Sequence, residues 1–189
     1  MDFKQDESHQ DILEMVHDFA VNEVKPQAAE IDKTEEFPME NVKKMAEMGL
    51  LGIPFPEEYG GSDMDTLAYI QTVEELSKYC ATTGVIVSAH TSLCCTPIYT
   101  FGSEEQKQKY LPKLCSGEWL GAFALTEPNA GTDASGQKTV AVDKGDHWVL
   151  NGSKIFITNA GAADVFFVLA MTDKSKGNRG ISAFIVEKG

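Results

Sequence analysis

The hydrophobic pattern of the chain changes its period at Trp119, and this change limits the fold more than any other feature of the sequence. Before Trp119, apolar residues recur every three to four positions, the spacing of amphipathic helices. After it, residues 165–171 and 181–186 are short runs rich in β-branched and aromatic residues, which are typical of strands. The sequence therefore predicts an α+β fold. We expect an all-α domain over residues 1–118 and an incomplete, antiparallel, barrel-like β-domain over residues 119–189.

The helical half carries start and stop signals. Pro26 is expected to interrupt the first helix, because proline lacks the N–H group that a helix needs. Pro38 suits the start of the second helix, and Ser103 with Gln106 is a capping-box sequence for the last one. Asp63 or Asp65 can cap a further helix. That helix is expected to bury one stripe of residues, Leu67, Ile70, Val73 and Leu76.

The most apolar part of the helical half lies in its middle. Residues 81–95 are apolar nearly all round, as in a central helix. The longest apolar run, residues 85–101, is broken by polar side chains and by Pro97, whereas a membrane span needs about 20 apolar residues. We interpret this run as a buried helix and not as a membrane anchor.

The dipeptide Asn151-Gly152 is a strong hairpin signal. Asn-Gly favours the type I′ turn that joins two antiparallel strands. Residues 149–150 precede it and residues 154–158 follow it, and both have strand-like composition. We therefore predict a hairpin of these two segments, with a further turn at residues 144–145.

The charge balance argues against two classes of partner. The chain has 16 lysines and arginines against 29 acids, a formal charge of −13. All of that excess lies before Trp119, where 9 lysines face 22 acids, while the remainder has 7 cations and 7 acids. Such a field repels phosphate backbones and anionic lipid, so neither nucleic acid nor a membrane is expected as a partner.

Cysteines and histidines give no sign of a metal site. The four histidines are scattered, and none belongs to a metal-binding motif. None of the cysteines has CxxC spacing, and the first residues contain no apolar signal sequence, which predicts free thiols and a cytoplasmic location. These cysteines are Cys80, Cys94, Cys95 and Cys115.

The segment ALTEPNAGTDASG, residues 124–136, is the strongest candidate for chemistry. Its glycines and its hydroxyls at Thr126, Thr132 and Ser135 suit a loop that gathers N–H groups around a pyrophosphate or a polar heterocycle edge. A solvated turn between strands is the alternative. The segment has neither the lysine of a P-loop nor the GxGxxG pattern of a Rossmann fold.

These thirteen residues match, position by position, the signature of the acyl-CoA dehydrogenase flavoproteins. The resemblance extends along the chain, through GLLGIPFPEEYGG, FGSEEQKQKYLPKL and LNGSKIFITNA. The chain most resembles the bacterial short-chain, butyryl-CoA dehydrogenase branch. It resembles only the N-terminal half of such a subunit, without the family's C-terminal helical domain.

The resemblance implies an FAD site built from two segments. The Thr126 hydroxyl is expected near the pyrimidine edge of the flavin, and Thr132 near the pyrophosphate and the acyl-CoA. The Phe156 ring is expected on the isoalloxazine face, where many relatives have Trp, and the Thr158 hydroxyl beside flavin N5. The full expected set is Phe123, Ala124, Leu125, Thr126, Glu127, Gly131, Thr132, Phe156, Ile157 and Thr158.

The resemblance also implies an acyl pocket lined by Leu93, Cys95 and Thr96, together with Thr132. The alternative for the cysteines is a plain core role, because free cysteine packs like a small hydrophobe. The implied reaction is α,β-dehydrogenation of a short-chain acyl-CoA, or the reverse reduction of an enoyl-CoA. The implied partners are an electron-transferring flavoprotein and identical subunits in a tetramer.

The family's catalytic base is a glutamate of its C-terminal domain, so it is expected beyond Gly189. Glu127 and Asp133 match structural positions of the signature. The isolated chain is therefore expected to be inactive. Two other functions remain open, namely a non-catalytic docking or oligomerisation fragment, and a flavoenzyme similar to acyl-CoA or nitroalkane oxidases.

Overall fold

A computed structural model describes residues 5–189 of the chain. The chain forms two compact units that meet in sequence between Leu120 and Gly121. The first unit is helical and the second is built on a sheet, which confirms the predicted α+β class.

The helices of the first unit follow one another with short connections. They are α1 (Glu7–Phe19), α2 (Lys25–Thr34), α3 (Met39–Glu47), α4 (Thr66–Tyr79), α5 (Ala81–Ser88), α6 (Thr96–Phe101) and α7 (Glu104–Cys115). Side-chain caps fix several of the starts. The Asp65 carboxylate accepts the Ala68 N–H at 2.9 Å, and the predicted capping box of Ser103 and Gln106 is present at α7.

Pro26 does not interrupt the first helix, so that prediction is wrong. Between α1 and α2 the chain makes a π-helical turn over Ala20–Val24, and the Lys25 N–H bonds to the Ala20 carbonyl. In this wider turn each N–H bonds to the carbonyl five residues earlier. The helix can therefore continue past Pro26, although Pro26 has no N–H to donate. The chain therefore stays helical from Glu7 to Thr34.

The predicted stripe of α4 is also wrong in part. Ile70 is 53% exposed, while Ala68 and Thr72 are buried together with Leu76. Helix α4 packs against both α1 and α5, so its buried face is wider than one apolar stripe and includes the polar residues Gln71 and Glu75.

The central position predicted for residues 81–95 is confirmed. Helix α5 continues into a second π-helical segment, Ala89–Cys95, and most of the side chains on these two elements are buried. In the part of the chain that the structure describes, no helix combines the length and the apolar character needed to cross a membrane.

The second unit contains one five-stranded sheet. Its strands are β1 (Gly121–Ala124), β2 (Val140–Asp143), β3 (Trp148–Asn151), β4 (Val165–Met171) and β5 (Ile181–Glu187). Strand β4 pairs antiparallel with β5 but parallel with β1 and, at one residue pair, with β2. The sheet is therefore mixed and open, and the expected antiparallel pairing is wrong for these two pairs. A parallel pair needs a long connection, which residues 125–164 provide between β1 and β4.

The predicted hairpin at Asn151-Gly152 does not form. Strand β3 pairs with β2 through the turn at residues 144–147, and residues 154–158 are not a strand. Gly152 instead passes close to Thr139, where an added Cβ would lie 2.3 Å from the Thr139 hydroxyl oxygen. The Asn-Gly pair thus redirects the chain after β3, because only glycine fits so close to a neighbouring strand end.

Strands β1 and β2 share one edge of β4, since β5 occupies the other along its whole length. Strand β1 pairs with the beginning of β4, and Val140 of β2 pairs with Met171 at its end. Residues 125–139 are therefore a loop that leaves this edge and returns to it. This loop contains most of the signature segment.

Candidate functional site

Two irregular segments of the second unit meet beside the sheet. We call residues 125–139 the signature loop and residues 154–159 the arch. The Ile155 N–H donates to the Thr126 carbonyl at 2.9 Å, and so joins the start of the arch to the signature loop. The structure thus brings together the two segments that the sequence assigned to one site.

Lys154 is the main link between the arch and the signature loop. Its Nζ donates to the Leu125 carbonyl at 2.9 Å, to Glu127 Oε1 at 2.8 Å and to Gln137 Oε1 at 3.1 Å. The side chains of Lys154 and Glu127 are 9% and 6% exposed. One ammonium group therefore ties the two ends of the signature loop to the arch.

The Glu127 carboxylate completes this link. It accepts the N–H groups of Lys138 at 2.6 Å and Thr139 at 2.9 Å, next to the start of β2. Burial by itself raises the pKa of Glu127, but the hydrogen bonds from Lys154 and Thr139 outweigh it and lower the pKa to about 2. Glu127 is therefore ionised, and its oxygens face inward.

The arch presents an aromatic ring, that of Phe156, to solvent. Phe156 has a left-handed backbone, with φ of 56°, and its side chain is 89% exposed. Both features are unfavourable for a phenylalanine, so the surrounding bonds must impose them. At the far end of the arch, Asn159 is also left-handed, and its Nδ2 donates to the Gly121 carbonyl of β1 at 3.1 Å.

The middle of the signature loop is a tight turn followed by open backbone. Glu127 and Ala130 exchange N–H···O bonds of 3.0 and 3.1 Å. Gly131 and Thr132 are exposed, and no atom lies within 4 Å of a Cβ added at Gly131. The Asp133 carboxylate accepts the Ser135 hydroxyl, which folds the end of the loop back on itself. The loop thus offers hydroxyl and backbone groups to a ligand.

The remaining predicted residues of this unit lie along the same segments. Phe123 stacks on Phe167, the residue opposite it on β4, with ring centroids 6.1 Å apart. Ala124 is buried, and Leu125 is half-buried. Ile157 and Thr158 are half-buried on the arch, directly after the exposed ring.

Three of the residues predicted for the acyl pocket lie in the helical unit, and they differ in exposure. Leu93 is 42% exposed, and Thr96 is exposed with its hydroxyl donating to the Thr91 carbonyl at 2.9 Å. Cys95 is 0% exposed, and its Sγ lies 3.4 Å from His90 Nε2. Burial raises the pKa of the Cys95 thiol, which thus behaves as a core group.

Sequence reasoning missed Lys154 and Asn159. Lys154 begins the segment predicted as a strand, where a lysine is expected to face solvent, and Asn159 lies directly after that segment. The signal that could have found Lys154 is its position between an Asn-Gly pair and an apolar triplet, in the same unit as a conspicuous Glu127. The signal for Asn159 is that asparagine tolerates left-handed backbone better than most residues.

The side chains of the site suit an organic ring system. Within residues 5–189, no group of three or more His, Cys, Asp or Glu side chains has the geometry to hold a metal ion. An exposed phenyl ring beside half-buried Thr126 and Thr158 offers an apolar face with polar groups at its margin. This combination fits a planar heterocycle, which stacks on the ring and hydrogen-bonds at its edge.

Comparison with known protein families agrees with this arrangement. The family model for the acyl-CoA dehydrogenase N-terminal domain matches residues 6–118, and the model for the middle domain of the same family matches residues 122–189. The chain therefore belongs to the acyl-CoA dehydrogenase family.

Its relatives include short-chain enzymes. The chain is 64% identical over 189 residues to a short-chain specific acyl-CoA dehydrogenase of Clostridium acetobutylicum. This match covers 100% of the chain and 50% of the relative. The butyryl-CoA dehydrogenase structure of Megasphaera elsdenii has a TM-score of 0.95 and 50% identity, over 100% of this chain and 50% of that one. The chain spans about half the length of the curated relatives it matches.

Two further structures bear on cofactor and partner. One is described as an electron-transferring flavoprotein of Acidaminococcus fermentans and concerns flavin-based electron bifurcation. It has a TM-score of 0.96 and 57% identity, over 100% of this chain and 50% of that chain. The other is an acyl-CoA dehydrogenase of Bacillus anthracis in complex with FAD, with a TM-score of 0.88 and 42% identity, over 98% of this chain and 31% of that chain.

Proposed function

We propose that the chain binds FAD through the signature loop and the arch, and that it serves α,β-dehydrogenation of short-chain acyl-CoA thioesters or the reverse reduction. The observation that carries the proposal is Phe156, an 89% exposed ring on left-handed backbone. Such an unfavourable conformation is typical of ligand-binding sites, where contacts with the ligand offset the strain.

Seven of the ten predicted cofactor residues have a stated role in this proposal. Phe156 and Ile157 cover the isoalloxazine, and the Thr126 and Thr158 hydroxyls hydrogen-bond its polar edge. Gly131 and Thr132 hold the pyrophosphate with backbone and hydroxyl groups, while Glu127 acts only through the shape of the loop. When bound, FAD supplies hydride exchange at N5. A neutral hydroxyl at that atom stabilises it without adding charge.

Leu93 and Thr96 remain candidate substrate contacts of the helical unit, and Thr132 remains a candidate of the β unit. We assign Cys95 to the core and not to the pocket, because its side chain is 0% exposed. The thioester is a short acyl-CoA by analogy with the relatives described above. We further propose a cytoplasmic protein that exchanges electrons with an electron-transferring flavoprotein and assembles with identical subunits.

The base that removes the α-proton is neither carboxylate of the signature loop. A general base works best when its pKa lies near the working pH, and the pKa of Glu127 is about 2. Glu127 is also buried against Lys154. Asp133 is engaged by Ser135 at the outer end of the loop. We therefore propose that the base is a carboxylate outside this loop.

Flavin titration tests the proposal. FAD added to the purified chain is expected to give a perturbed visible spectrum and quenched flavin fluorescence. Phe156→Ala is expected to weaken binding by about tenfold or more, since stacking on an aromatic face is worth about 1 kcal/mol beyond burial. Trp148→Ala is the matched control, because Trp148 is an exposed aromatic residue on β3.

Three results would count against the proposal. The first is a chain that takes up no flavin, which would favour a docking or oligomerisation module. The second is equal loss of binding in the Phe156 and Trp148 variants. The third, substrate-dependent dye reduction that is lost in Asp133→Asn while flavin binding is retained, would contradict the proposal that the base lies outside the signature loop.

A further inference from the structure

Apolar packing holds only part of the arch, since Ile155 and Ile157 are half-buried and Phe156 is exposed. Its most prominent side chain, Phe156, points to solvent and contributes little to a core. The φ of 56° at Phe156 is unfavourable for residues other than glycine, asparagine and aspartate. The position of the arch is therefore set by the bonds at its two ends.

The bonds at the first end come from one backbone group and one buried side chain. The Ile155 N–H donates to the Thr126 carbonyl at 2.9 Å, and the Lys154 side chain makes the others. Lys154 immediately precedes the arch residues Ile155 and Phe156, and its Nζ reaches Leu125, Glu127 and Gln137 within 3.1 Å. Glu127 in turn holds the N–H groups of residues 138 and 139, next to β2. The pair thus fixes the arch to both ends of the signature loop.

We propose that Lys154, acting through Glu127, is the positioning residue of the flavin site. It sets where the Phe156 ring and the Thr158 hydroxyl stand relative to Thr126 and Thr132, and it does so without touching the flavin. This inference rests on the proposed function. The inference names the residue that holds the flavin-contacting side chains in position. A binding site needs such support, because its side chains must be kept in the geometry that the ligand requires.

The variant Lys154→Met tests this directly, since methionine keeps an unbranched side chain and removes the charge and its donors. In the purified chain with added FAD, its affinity is expected to fall about tenfold or more, the usual worth of a lost charge-assisted bond. The bound flavin spectrum is also expected to shift. Lys154→Arg is expected to restore part of both. Lys144→Met, in the exposed turn after β2, is the control.

A double variant separates positioning from simple stability. Lys154→Met with Glu127→Gln leaves no buried unpaired charge, so its free energy of unfolding is expected to recover substantially. Its flavin affinity and spectrum are expected to remain impaired, because the tether to the arch is still missing. Recovery of flavin binding together with stability would overturn the positioning role.

The outcomes distinguish this inference from the function on which it rests. If the unaltered chain takes up no FAD, the proposed function fails. If that chain binds FAD and Lys154→Met binds it equally, only the positioning role fails. Amide hydrogen exchange of residues 155–159 without flavin gives an independent check. The exchange is expected to accelerate in Lys154→Met, and unchanged rates would contradict the tether.

Discussion

One ion pair from each unit shows two different uses of charge. In the helical unit, Lys43 pairs with Glu40 at 3.0 Å, and the two side chains are 62% and 73% exposed. In the β unit, Lys154 pairs with Glu127 at 2.8 Å, and the two are 9% and 6% exposed. Exposed pairs add little to stability, whereas losing one member of a buried pair leaves an uncompensated charge.

This difference follows from what each unit has to hold in place. The helical unit has a large apolar core, in which Leu111, Leu114 and Ile98 are fully buried. Its surface charges can vary because the core fixes the helices. The β unit carries two irregular segments with an outward-facing ring, and a buried polar link holds them where apolar packing does not.

The largest predicted effect compares the two ion pairs. Lys154→Met is expected to lower the free energy of unfolding by about 3–5 kcal/mol, because it leaves Glu127 buried and charged. Lys43→Met is expected to change it by no more than about 1 kcal/mol. Denaturant unfolding of the two variants measures both values. Equal losses would show that burial does not distinguish the pairs.

The next prediction compares two apolar side chains. Leu111 is 0% exposed, and Leu111→Ala is expected to cost about 2–5 kcal/mol through lost packing and the cavity it leaves. The free energy of unfolding of Phe156→Ala is expected to lie within about 0.5 kcal/mol of that of the unaltered chain, since the ring is exposed. Thermal unfolding with no flavin present measures this. A large loss for Phe156→Ala would mean that the ring supports the fold.

A third prediction concerns the left-handed backbone of the arch. Phe156→Gly is expected to raise the free energy of unfolding by up to about 1 kcal/mol, because glycine adopts a φ of 56° without strain. The same variant is expected to bind FAD poorly. Opposite changes in unfolding and flavin titration would identify Phe156 as a residue kept for binding, and parallel losses would argue against that.

The smallest predicted effect is a pH response of the helical unit. His9 Nδ1 lies 2.6 Å from Asp6 and its Nε2 lies 3.0 Å from Asp65, the caps of α1 and α4. Hydrogen bonds to Asp6 and Asp65 raise the pKa of His9. Hydrogen bonds from Ser8 and His9 lower the pKa of Asp6. Both aspartates are exposed, so the effect is screened.

The sign of that response follows from the raised pKa of His9. Its contribution is complete below about pH 6.5, the unfolded value, and is lost as the pH rises through the folded pKa. The aspartate contribution is lost only in strong acid. The midpoint temperature of thermal unfolding is therefore expected to decrease as the pH rises above about 6.5, and His9→Gln is expected to flatten this part of the profile. An unchanged slope in His9→Gln would contradict the assignment.

Local signals in the sequence were sufficient where a few neighbouring residues decide the structure. The capping box at Ser103 and the cap at Asp65 formed as predicted. Strand β4 covers residues 165–171 as the composition indicated. In the two caps, the hydrogen bonds join residues close in sequence. In strand β4, a run of apolar residues favours burial in any fold.

Local signals failed where two distant segments competed. Asn151-Gly152 resembles a hairpin turn, but β2 already occupies the pairing edge of β3, and Gly152 has to pass Thr139. Strand β2 itself was not anticipated, because residues 140–143 are too short to stand out. Pro26 was expected to end a helix, yet the π-helical turn before it absorbed the missing bond.

By itself, the sequence determined the change from helix to strand at Trp119, the helix caps, the two longest strands and the two segments proposed to bind flavin. Periodicity and motif chemistry are written in consecutive residues, so they can be read without coordinates. Only the tertiary structure decided that β4 has parallel neighbours, that Phe156 faces outward and that Lys154 links the two segments. Those features depend on groups far apart in the chain, whose meeting is a property of the folded molecule.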